Sequence, residues 1–426
     1  MKRISVVTLG CKVNQYDTAV LLNQLPKSKY IKNKNFDEKA DIYVIDTCTV
    51  THKADSEARN YIYRAKRNNP QALVVVTGCY AQVSSEELSQ LEEVDYIVGN
   101  SHKSKSLLKV IREGEKQKEP TVLISDIFKE KKKKFDTPHI DYFPNRTRAF
   151  LKVQDGCNYA CTFCIIPRAR GRSRSLDIND IKTRIINLRD NGYKEVVLTG
   201  IHLASYGKDI GTDLYKLLHE LDNENIINRI RLSSLDPADL NNDLIDLCGG
   251  SEIICPSFHI ALQSGDRDIL KLMRRRYLPD DFIKCTDYIR TKMPDASIGT
   301  DIMVGFPNEN KEHFLNSFKL LKDSELTYFH VFPYSKRKHT QASSMDNQVD
   351  PKIKKERSKI LRELSSSKKI KFYSSFIGKE LQILVEKNSR GTTDNYINIK
   401  LENDNSQVGD IVNLKIKKVE GENAVA

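Results

Sequence analysis

The sequence predicts an α/β protein with three parts: an open parallel α/β N-terminal domain, a partial (β/α)6 barrel and a small C-terminal all-β barrel. Short β-branched runs alternate with polar-periodic segments through most of the chain, as in parallel sheets flanked by helices. Roughly fifty residues at the carboxyl end alternate strand-like runs with glycines instead. The length of 426 residues also exceeds what one hydrophobic core usually supports.

Residues 1–120 carry the pattern of the open α/β domain. Strands are predicted at 4–9, 41–46, 73–77 and 96–98, and helices at 14–25, 52–68, 85–91 and 104–113. These strand, helix, strand repeats imply a mostly parallel sheet, because parallel neighbours need a crossover connection. A linker is predicted at 121–145, where Lys131 to Lys134 are followed by Pro138 and Pro144. The lysine run is typical of a solvated connector.

Residues 146–350 carry the pattern of the partial barrel. Six strand-like runs, at 150–153, 195–199, 229–233, 257–262, 297–304 and 327–334, alternate with helical segments. Six βα units can curl into an incomplete parallel barrel, whose chemistry is expected at the carboxyl ends of its strands.

Two further parts follow the barrel. A connecting helix is predicted at 351–373, because Ile353, Ile360, Leu361 and Leu364 are spaced as one helix face. The all-β barrel is predicted at 374–426, with strands at 380–385, 396–400 and 411–417. Barrels of this size commonly bind nucleic acids.

The net charge of +12 and the pI near 9.0 favour a polyanionic partner, and RNA is a natural one in cytoplasm. Lysines that only maintain solubility explain the charge equally well. Hydrophobic residues make up 39% of the chain and charged residues 30%, which indicates a globular protein. Neither a signal-peptide pattern nor a run of about 18 apolar residues occurs, so we expect a cytoplasmic protein with no membrane partner.

Three of the nine cysteines form a compact motif directly after the first predicted barrel strand. Cys157, Cys161 and Cys164 have the spacing C-x3-C-x2-C. Three thiolates at this spacing can wrap a loop around one cubane cluster and leave one iron open, as S-adenosylmethionine chemistry requires. The alternative is a zinc loop, but structural zinc sites usually have four ligands and no His or Cys follows at finger spacing.

Three other cysteines each follow a predicted strand of the first domain. Cys11, Cys48 and Cys79 would become neighbours, because the carboxyl ends of parallel strands share one edge of a sheet. A second cluster site is therefore predicted, and the alternative is three ordinary buried thiols. The remaining cysteines fit neither pattern and are predicted to be packing residues: Cys248, Cys255 and Cys285.

Several ordered motifs make the chain similar to a known family. They are TLGCKVNQYDT (8–18), DTCTVTHKADSEAR (46–59), TGCYAQ (77–82), DGCNYACTFCIIPRARGRSRS (155–175), LTGIHLASYG (198–207), HIALQSGD (259–266) and GTDIMVGFP (299–307). The chain resembles the methylthiotransferases of the radical S-adenosylmethionine superfamily over essentially its whole length. The resemblance implies two 4Fe-4S clusters, an auxiliary one on Cys11, Cys48 and Cys79 and a radical one on Cys157, Cys161 and Cys164.

The resemblance also implies contacts to S-adenosylmethionine and to tRNA. The expected cofactor contacts each fit ordinary packing or turn chemistry as well; they are Phe163, Thr199, Gly200, Ser233, Gln263 and Ile302. Arginines suit phosphate recognition because their planar fork pairs with phosphate oxygens. The expected tRNA contacts are Arg168, Arg170, Arg172, Arg174, Arg274, Arg275 and Arg276. The C-terminal barrel resembles the TRAM module of RNA-modifying enzymes.

The implied reaction places a methylthio group on an inert carbon. One S-adenosylmethionine would methylate the sulfur, and a second would be cleaved to a deoxyadenosyl radical that removes the hydrogen. The forms GCKVNQYDT and DTCTVTHKAD are most similar to members that act on threonylcarbamoyladenosine in tRNA. Other members act on isopentenyladenosine in tRNA or on a ribosomal protein aspartate. The implied partners are tRNA, an electron donor such as flavodoxin or ferredoxin, and a sulfur donor.

A noncatalytic RNA-binding protein with one structural metal is the alternative from a different class. The basic charge and the all-β barrel alone would allow it. Two complete three-cysteine sets argue against it, and iron content with a brown, air-sensitive colour distinguishes the two hypotheses.

Overall fold

The computed structural model describes residues 1–129, 135, 137–143, 146–402 and 406–426. These residues form two compact units. One comprises Met1–Pro144, Asp155–Arg174 and Ser335–Ser343; the other comprises Asn145–Gln154, Ser175–Tyr334 and Ser344–Ala426. The lysine run of the predicted linker, residues 131–134, lies outside the described residues.

A six-stranded parallel sheet forms the centre of the first unit, in the order β2-β1-β3-β4-β5-β6. This confirms the predicted open parallel α/β domain. The strands are β1 (Lys2–Thr8), β2 (Tyr30–Lys32), β3 (Ile42–Thr47), β4 (Leu73–Gly78), β5 (Tyr96–Gly99) and β6 (Thr121–Leu123). The helices are α1 (Lys12–Asn23), α2 (His52–Asn68), α3 (Cys79–Val83), α4 (Ser85–Leu88) and α5 (Lys103–Glu113).

Local sequence explains most of these elements. The residues of β3 and β4 are all buried, as expected for parallel strands covered on both faces. The helix α2 begins at its N-cap Thr51, whose side chain accepts a hydrogen bond from the Ala54 amide at 3.2 Å. The strands β2 and β6 were not predicted, because strands of three residues carry almost no periodicity. The range predicted as a linker therefore begins with a strand of this sheet.

Six parallel strands form the partial barrel of the second unit, as two groups ordered β7-β10-β11 and β12-β13-β14. Parallel bridges join the groups, Ile230 to Ile254 and Leu235 to Ile260. The prediction of six βα repeats is confirmed. The strands are β7 (Ala149–Lys152), the two-residue strands β8 (Gln154–Asp155) and β9 (Arg174–Ser175), β10 (Glu195–Thr199), β11 (Arg229–Leu232), β12 (Ser257–His259), β13 (Ser297–Val304) and β14 (Tyr328–Pro333).

Helices alternate with the barrel strands. A short helix, α6 (Ile166–Arg170), belongs to the segment of the first unit. Those of the second unit are α7 (Ile178–Asp190), α8 (Leu214–Glu224), α9 (Asn242–Gly250), α10 (Arg267–Leu272), α11 (Pro279–Lys292), α12 (Lys311–Asp323) and the long α13 (Pro351–Ser374). The predicted connecting helix matches α13, which starts at the N-cap Asp350 followed by Pro351.

A six-stranded sheet ends the chain, in the order β18-β15-β16-β17-β20-β19. All its pairs are antiparallel except β17 with β20. The strands are β15 (Glu380–Glu386), β16 (Arg390–Thr393), β17 (Asn398–Lys400), β18 (Ile411–Lys415), β19 (Lys418–Glu420) and β20 (Asn423–Val425). The all-β prediction is confirmed, and the three strands that the sequence missed contain only three or four residues each.

Two buried arginines of β11 bind this sheet to the barrel. Arg229 donates to the Gln382 carbonyl at 2.8 Å, and Arg231 donates to the carbonyls of Thr393 and Asp394 at 2.9 and 2.8 Å. Arg231 also pairs with Glu195 at 2.7 Å. Burial raises the pKa of Glu195, but Arg231 and its neighbouring arginines outweigh burial and hold that pKa below its usual value. The C-terminal sheet is therefore integral to the second unit.

Candidate functional site: two cysteine triplets

The first triplet lies at the carboxyl ends of three neighbouring strands. Cys11 follows β1 after two residues and is the N-cap of α1. Cys48 directly follows β3, and Cys79 directly follows β4 and begins α3. Since β1, β3 and β4 are adjacent in the sheet, the structure brings the three cysteines to one edge. Cys11 is exposed, whereas Cys48 and Cys79 are buried.

Two glycines allow these turns. Gly10 has φ +91°, and a Cβ there would lie 2.8 Å from the Cys48 sulfur. Gly78 has φ +98°, and a Cβ there would collide with the main chain of Thr47. L side chains rarely adopt such φ values, so glycine is the residue that fits before Cys11 and before Cys79.

Burial controls the chemistry of the inner thiols. Burial, together with the neighbouring Cys79, raises the pKa of Cys48 to about 12. Burial also raises the pKa of Cys79, while the charge of Arg170 opposes this rise. Both thiols are therefore protonated in the free protein at neutral pH, and a metal ligand set would form with release of protons.

Arg170 is the cation beside this triplet, which corrects its expected role as a tRNA contact. Its side chain is 2% exposed and pairs with Asp155 at 3.1 Å and with Asp17 at 3.3 Å. It also donates a hydrogen bond to Asn14. Asn14 in turn donates to the carbonyls of Leu9 and Thr47 at 2.8 and 3.1 Å. A guanidinium committed to this buried network cannot reach an RNA phosphate.

One donor of Arg170 remains available for the triplet. Its Nε is buried and has no hydrogen-bond partner among the described residues. The charge of Arg170 opposes the rise that burial causes in the pKa values of Cys79 and Cys48. A buried cationic donor beside soft thiolates suits a cluster that carries net negative charge, since hydrogen bonds to sulfur stabilise such centres. The residues present therefore fit an iron-sulfur cluster.

The second triplet occupies a loop between β8 and α6. The Cys164 amide donates to the Cys161 carbonyl at 3.1 Å, which closes a turn that holds these two residues close. The Cys157 amide donates to the Gly171 carbonyl at 3.0 Å, and the Tyr159 amide donates to the Cys157 sulfur at 3.4 Å. All three cysteines are partly exposed. The loop is thus shaped by main-chain bonds, with its thiols accessible.

The remaining residues around this loop differ in exposure. Phe163 lies in the turn and is partly exposed. Arg168 and Arg172 are exposed, as a phosphate contact requires. Arg174 is partly exposed, stacks on the Phe135 ring at 5.6 Å and lies 3.9 Å from Asp155. Of the four arginines after the loop, the structure excludes only Arg170 from RNA contact.

In the second unit, the expected cofactor contacts lie at or near the carboxyl ends of strands. Ser233 follows β11, and its hydroxyl is buried with no hydrogen-bond partner among the described residues. Gln263 has φ +65° and is partly exposed. A Cβ on Gly200 would lie 2.7 Å from the Gln154 side chain, so glycine is needed there for packing. Thr199 and Ile302 are 1% and 0% exposed, so their side chains are packed and a cofactor contact there would use the main chain.

The three arginines that follow α10 also differ in their exposure to solvent. Arg274, with φ +56°, and Arg276 are exposed. Arg275 instead forms an ion pair with Asp236 and stacks on the Tyr277 ring at 4.9 Å. Its side chain is 8% exposed, so the expectation that it contacts tRNA is also corrected.

Polar residues that were not predicted support both regions. In the first unit, Lys103 donates to Asp46 at 2.8 Å and pairs with Asp17 at 3.4 Å, next to the Arg170 network. In the second unit, His202 lies 3.2 Å from Asp239, which Lys208 binds at 2.6 Å. The motif KVNQYDT, in which Asn14 and Asp17 fall one turn apart on α1, was the available sign of the first network.

The third group of cysteines packs as predicted. Cys248 and Cys255 are 2% and 3% exposed. Cys285 lies in α11 and is partly exposed. None of the nine cysteines, all of which lie in the described residues, forms a disulfide.

Two family models match the chain. One, described as Uncharacterized protein family UPF0004, matches residues 3–99. The other, described as Radical SAM superfamily, matches residues 151–321. The first range contains the strand-end triplet and the second contains the loop triplet.

Curated relatives match along nearly the whole length. The threonylcarbamoyladenosine tRNA methylthiotransferase MtaB of Aquifex aeolicus is 46% identical over 97% of this chain and 100% of its own. The protein of the same name from Bacillus subtilis is 38% identical, over 98% and 94%. A tRNA-2-methylthio-N(6)-dimethylallyladenosine synthase of Pelotomaculum thermopropionicum is 32% identical, over 91% and 87%.

Solved structures show the same fold. The radical S-adenosylmethionine methyltransferase TsrM from Kitasatospora setae superposes with a TM-score of 0.59 at 14% identity, over 80% of this chain and 77% of that one. At this identity the likeness concerns the fold alone. Among the described residues, no helix combines the length and the apolar character needed to cross a membrane.

Proposed function

We propose that this chain, which belongs to the threonylcarbamoyladenosine tRNA methylthiotransferase family, transfers a methylthio group to tRNA. The acceptor is carbon 2 of N6-threonylcarbamoyladenosine at position 37. The observation that carries the proposal is the pair of complete cysteine triplets in one unit, one at a shared sheet edge and one in a loop. A noncatalytic protein with one structural metal would need only one such cysteine triplet.

We assign a 4Fe-4S cluster to each triplet. Cys157, Cys161 and Cys164 would hold the radical cluster, and Cys11, Cys48 and Cys79 the auxiliary cluster. When bound, the clusters would supply the electron that cleaves S-adenosylmethionine and the sulfur that is delivered. The protein fixes the strand-end thiols through Gly10 and Gly78, and Arg170 supplies positive charge and a buried donor beside them.

The cofactor contacts are proposed at Phe163, Gly200, Ser233 and Gln263, and through the main chain at Thr199 and Ile302. Ser233 has the best support, because a buried hydroxyl without a partner among the described residues is a costly arrangement unless a ligand completes it. Its position directly after β11 agrees with the place where barrel enzymes bind their ligands.

The proposed chemistry requires that the target adenosine of the tRNA is unpaired. Carbon 2 must lie within contact distance of the reacting group, and an anticodon-loop base meets this requirement without melting a duplex. Threonylcarbamoyl carries a carboxylate, which exposed arginines such as Arg168, Arg172, Arg274 and Arg276 could pair. A pocket built to pair polar groups rejects the apolar isopentenyl analogue strongly.

The remaining parts of the proposal concern organisation and partners. We divide the chain into an auxiliary-cluster domain (1–120), a linker (121–145), a radical barrel (146–350), a connecting helix (351–373) and a TRAM-like module (374–426) that contacts tRNA by shape. A flavodoxin or ferredoxin would supply electrons and a separate donor the sulfur. Because its substrate is tRNA, we place the protein in the cytoplasm.

Nucleoside mass spectrometry tests the proposal. Transfer RNA from cells with and without the gene would be compared, in a host that makes both threonylcarbamoyladenosine and isopentenyladenosine. We expect loss of the methylthio-threonylcarbamoyl nucleoside alone. Loss of only the isopentenyl product, or of neither, would contradict the assignment; the inactive control is a chain with Cys157, Cys161 and Cys164 replaced by Ala.

A further inference from the structure

The excess positive charge of the chain is concentrated in one helix. The helix α13 contains nine Lys or Arg and two Asp or Glu, a net charge of +7 out of the total of +12. Residues 375–426, which include the C-terminal sheet, contain seven Lys or Arg and eight Asp or Glu, a net charge of −1. The charge that favours a polyanion therefore precedes the module expected to bind RNA.

One face of α13 is locked to the rest of the second unit. Leu361 is fully buried, and the Ser365 hydroxyl donates to the Phe329 carbonyl at 2.7 Å. Arg357 is buried, pairs with Glu309 and stacks on the Phe314 ring at 5.2 Å. Lys354 packs on the Tyr334 ring with its ammonium 5.0 Å from the centroid. These contacts hold the helix rigidly, so its other face has a fixed orientation.

The solvent-facing side of α13 carries four cations and also two carboxylates, Glu356 and Glu363. Lys352, Lys355, Lys359 and Arg362 recur at three- and four-residue spacing, which places them on one side of a helix. All four are exposed. They span eleven residues, which is ten helical rises or about 15 Å along the axis. The pair of Lys359 with Glu363 is long, at 3.9 Å, and both side chains are largely exposed, so it neutralises little. We name these four residues the basic stripe.

We infer that the basic stripe binds the phosphate backbone of the substrate tRNA. This inference rests on the proposed function. A helix that only needs to be soluble balances charges of both signs, whereas α13 keeps an excess of cations, +7 in all, that attracts a polyanion. Because the helix is fixed by its packed face, the cations bind phosphates without a large cost of ordering the backbone. Contacts of this kind position the RNA and carry no sequence information.

The salt dependence of binding tests the inference. A chain with Lys352→Gln, Lys355→Gln, Lys359→Gln and Arg362→Gln would be titrated with threonylcarbamoyladenosine-containing tRNA from 0.05 to about 0.3 M salt. Four lost phosphate contacts should make the slope of log Kd against log salt shallower by about 3, and binding at 0.15 M weaker by tenfold or more. The control carries Lys284→Gln, Lys311→Gln, Lys319→Gln and Lys322→Gln, which removes the same charge from exposed positions of α11 and α12.

The outcomes distinguish a failure of the inference about the basic stripe from a failure of the proposed function. The control should keep the slope of the unmodified chain, and circular dichroism should show that both variants fold. An unchanged slope for the stripe variant overturns the inference, even if an acidic protein electron donor then loses affinity for it. Equal losses in both variants overturn it as well, since net charge alone would explain them. If the unmodified chain forms no methylthio nucleoside from this tRNA, the proposed function fails instead.

Discussion

The two cysteine triplets differ in how the chain assembles them. Cys157, Cys161 and Cys164 lie within eight residues, and most of the main-chain bonds of their loop join near neighbours in sequence, although the Ala342 amide also donates to the Thr162 carbonyl at 2.9 Å. Cys11, Cys48 and Cys79 span 69 residues and meet only because three strands pair. The loop site is therefore a local structure with accessible thiols, whereas the strand-end site depends on the sheet and on a buried arginine.

The largest expected effect follows from loss of the loop site. Replacing Cys157, Cys161 and Cys164 with Ala should abolish reductive cleavage of S-adenosylmethionine, because these thiols are the proposed ligands of the radical cluster. Deoxyadenosine would be measured by chromatography with dithionite as the reductant. Iron content should fall by about one cubane. Cleavage at the unmodified rate would refute the assignment.

Loss of the strand-end site should stop product formation without stopping the cleavage of S-adenosylmethionine. A chain with Cys11, Cys48 and Cys79 replaced by Ala should still cleave S-adenosylmethionine but form no methylthio nucleoside. Its iron content should also fall by about one cubane. Normal product formation by this variant would end the claim of an auxiliary cluster. The two triplet variants serve as controls for each other.

Substitution of Arg170 should show how much the strand-end site depends on tertiary contacts. Arg170→Gln removes the buried cation that Asp155 and Asp17 share. The two carboxylates keep the longer contacts with Arg174 and Lys103, so the loss should cost about 3 kcal/mol in the free energy of unfolding. Urea denaturation measures this, and Arg168→Gln, on an exposed neighbour in α6, is the matched control. Iron should be lost from the strand-end site first. Equal stability of the two variants would contradict the buried network.

Strain at the strand-end turns should give a smaller effect. Gly10→Ala forces a side chain into φ +91° beside the Cys48 sulfur, so we expect about 1–3 kcal/mol of destabilisation. Gly192→Ala is the control for backbone strain alone, since Gly192 also has φ +91° but no atom lies within 4 Å of a Cβ there. If Gly10→Ala destabilises the protein no more than Gly192→Ala does, the contact with Cys48 adds nothing to the destabilisation.

The smallest expected difference concerns thiol access in the cluster-free protein. Cys48 and Cys79 are buried, so iodoacetamide should alkylate them about tenfold or more slowly than the exposed Cys11 or the three loop cysteines. Peptide mass spectrometry over a time course would give the rates. Rates that are equal across both triplets would show that the strand-end edge is open without its cluster.

Much of the fold followed from local sequence. Buried runs such as IYVIDT and LVVVTG predicted their strands because strands covered on both faces need apolar residues at every position. Short edge strands such as Tyr30–Lys32 were missed, because three residues contain no measurable period and only pairing with β1 defines them. The loop triplet was found from its spacing, and the strand-end triplet from its place after three strands.

The sequence by itself determined the two candidate ligand sets, since thiolate chemistry and spacing are properties of the residues. Only the tertiary structure decided which cations serve which site. Arg168, Arg170, Arg172 and Arg174 look alike in sequence, yet Arg170 is buried against Asp155 while Arg168 and Arg172 face solvent. The physical reason is that side-chain direction and burial depend on the elements that pack around a residue. Residue type alone sets only its charge and its hydrogen-bonding groups.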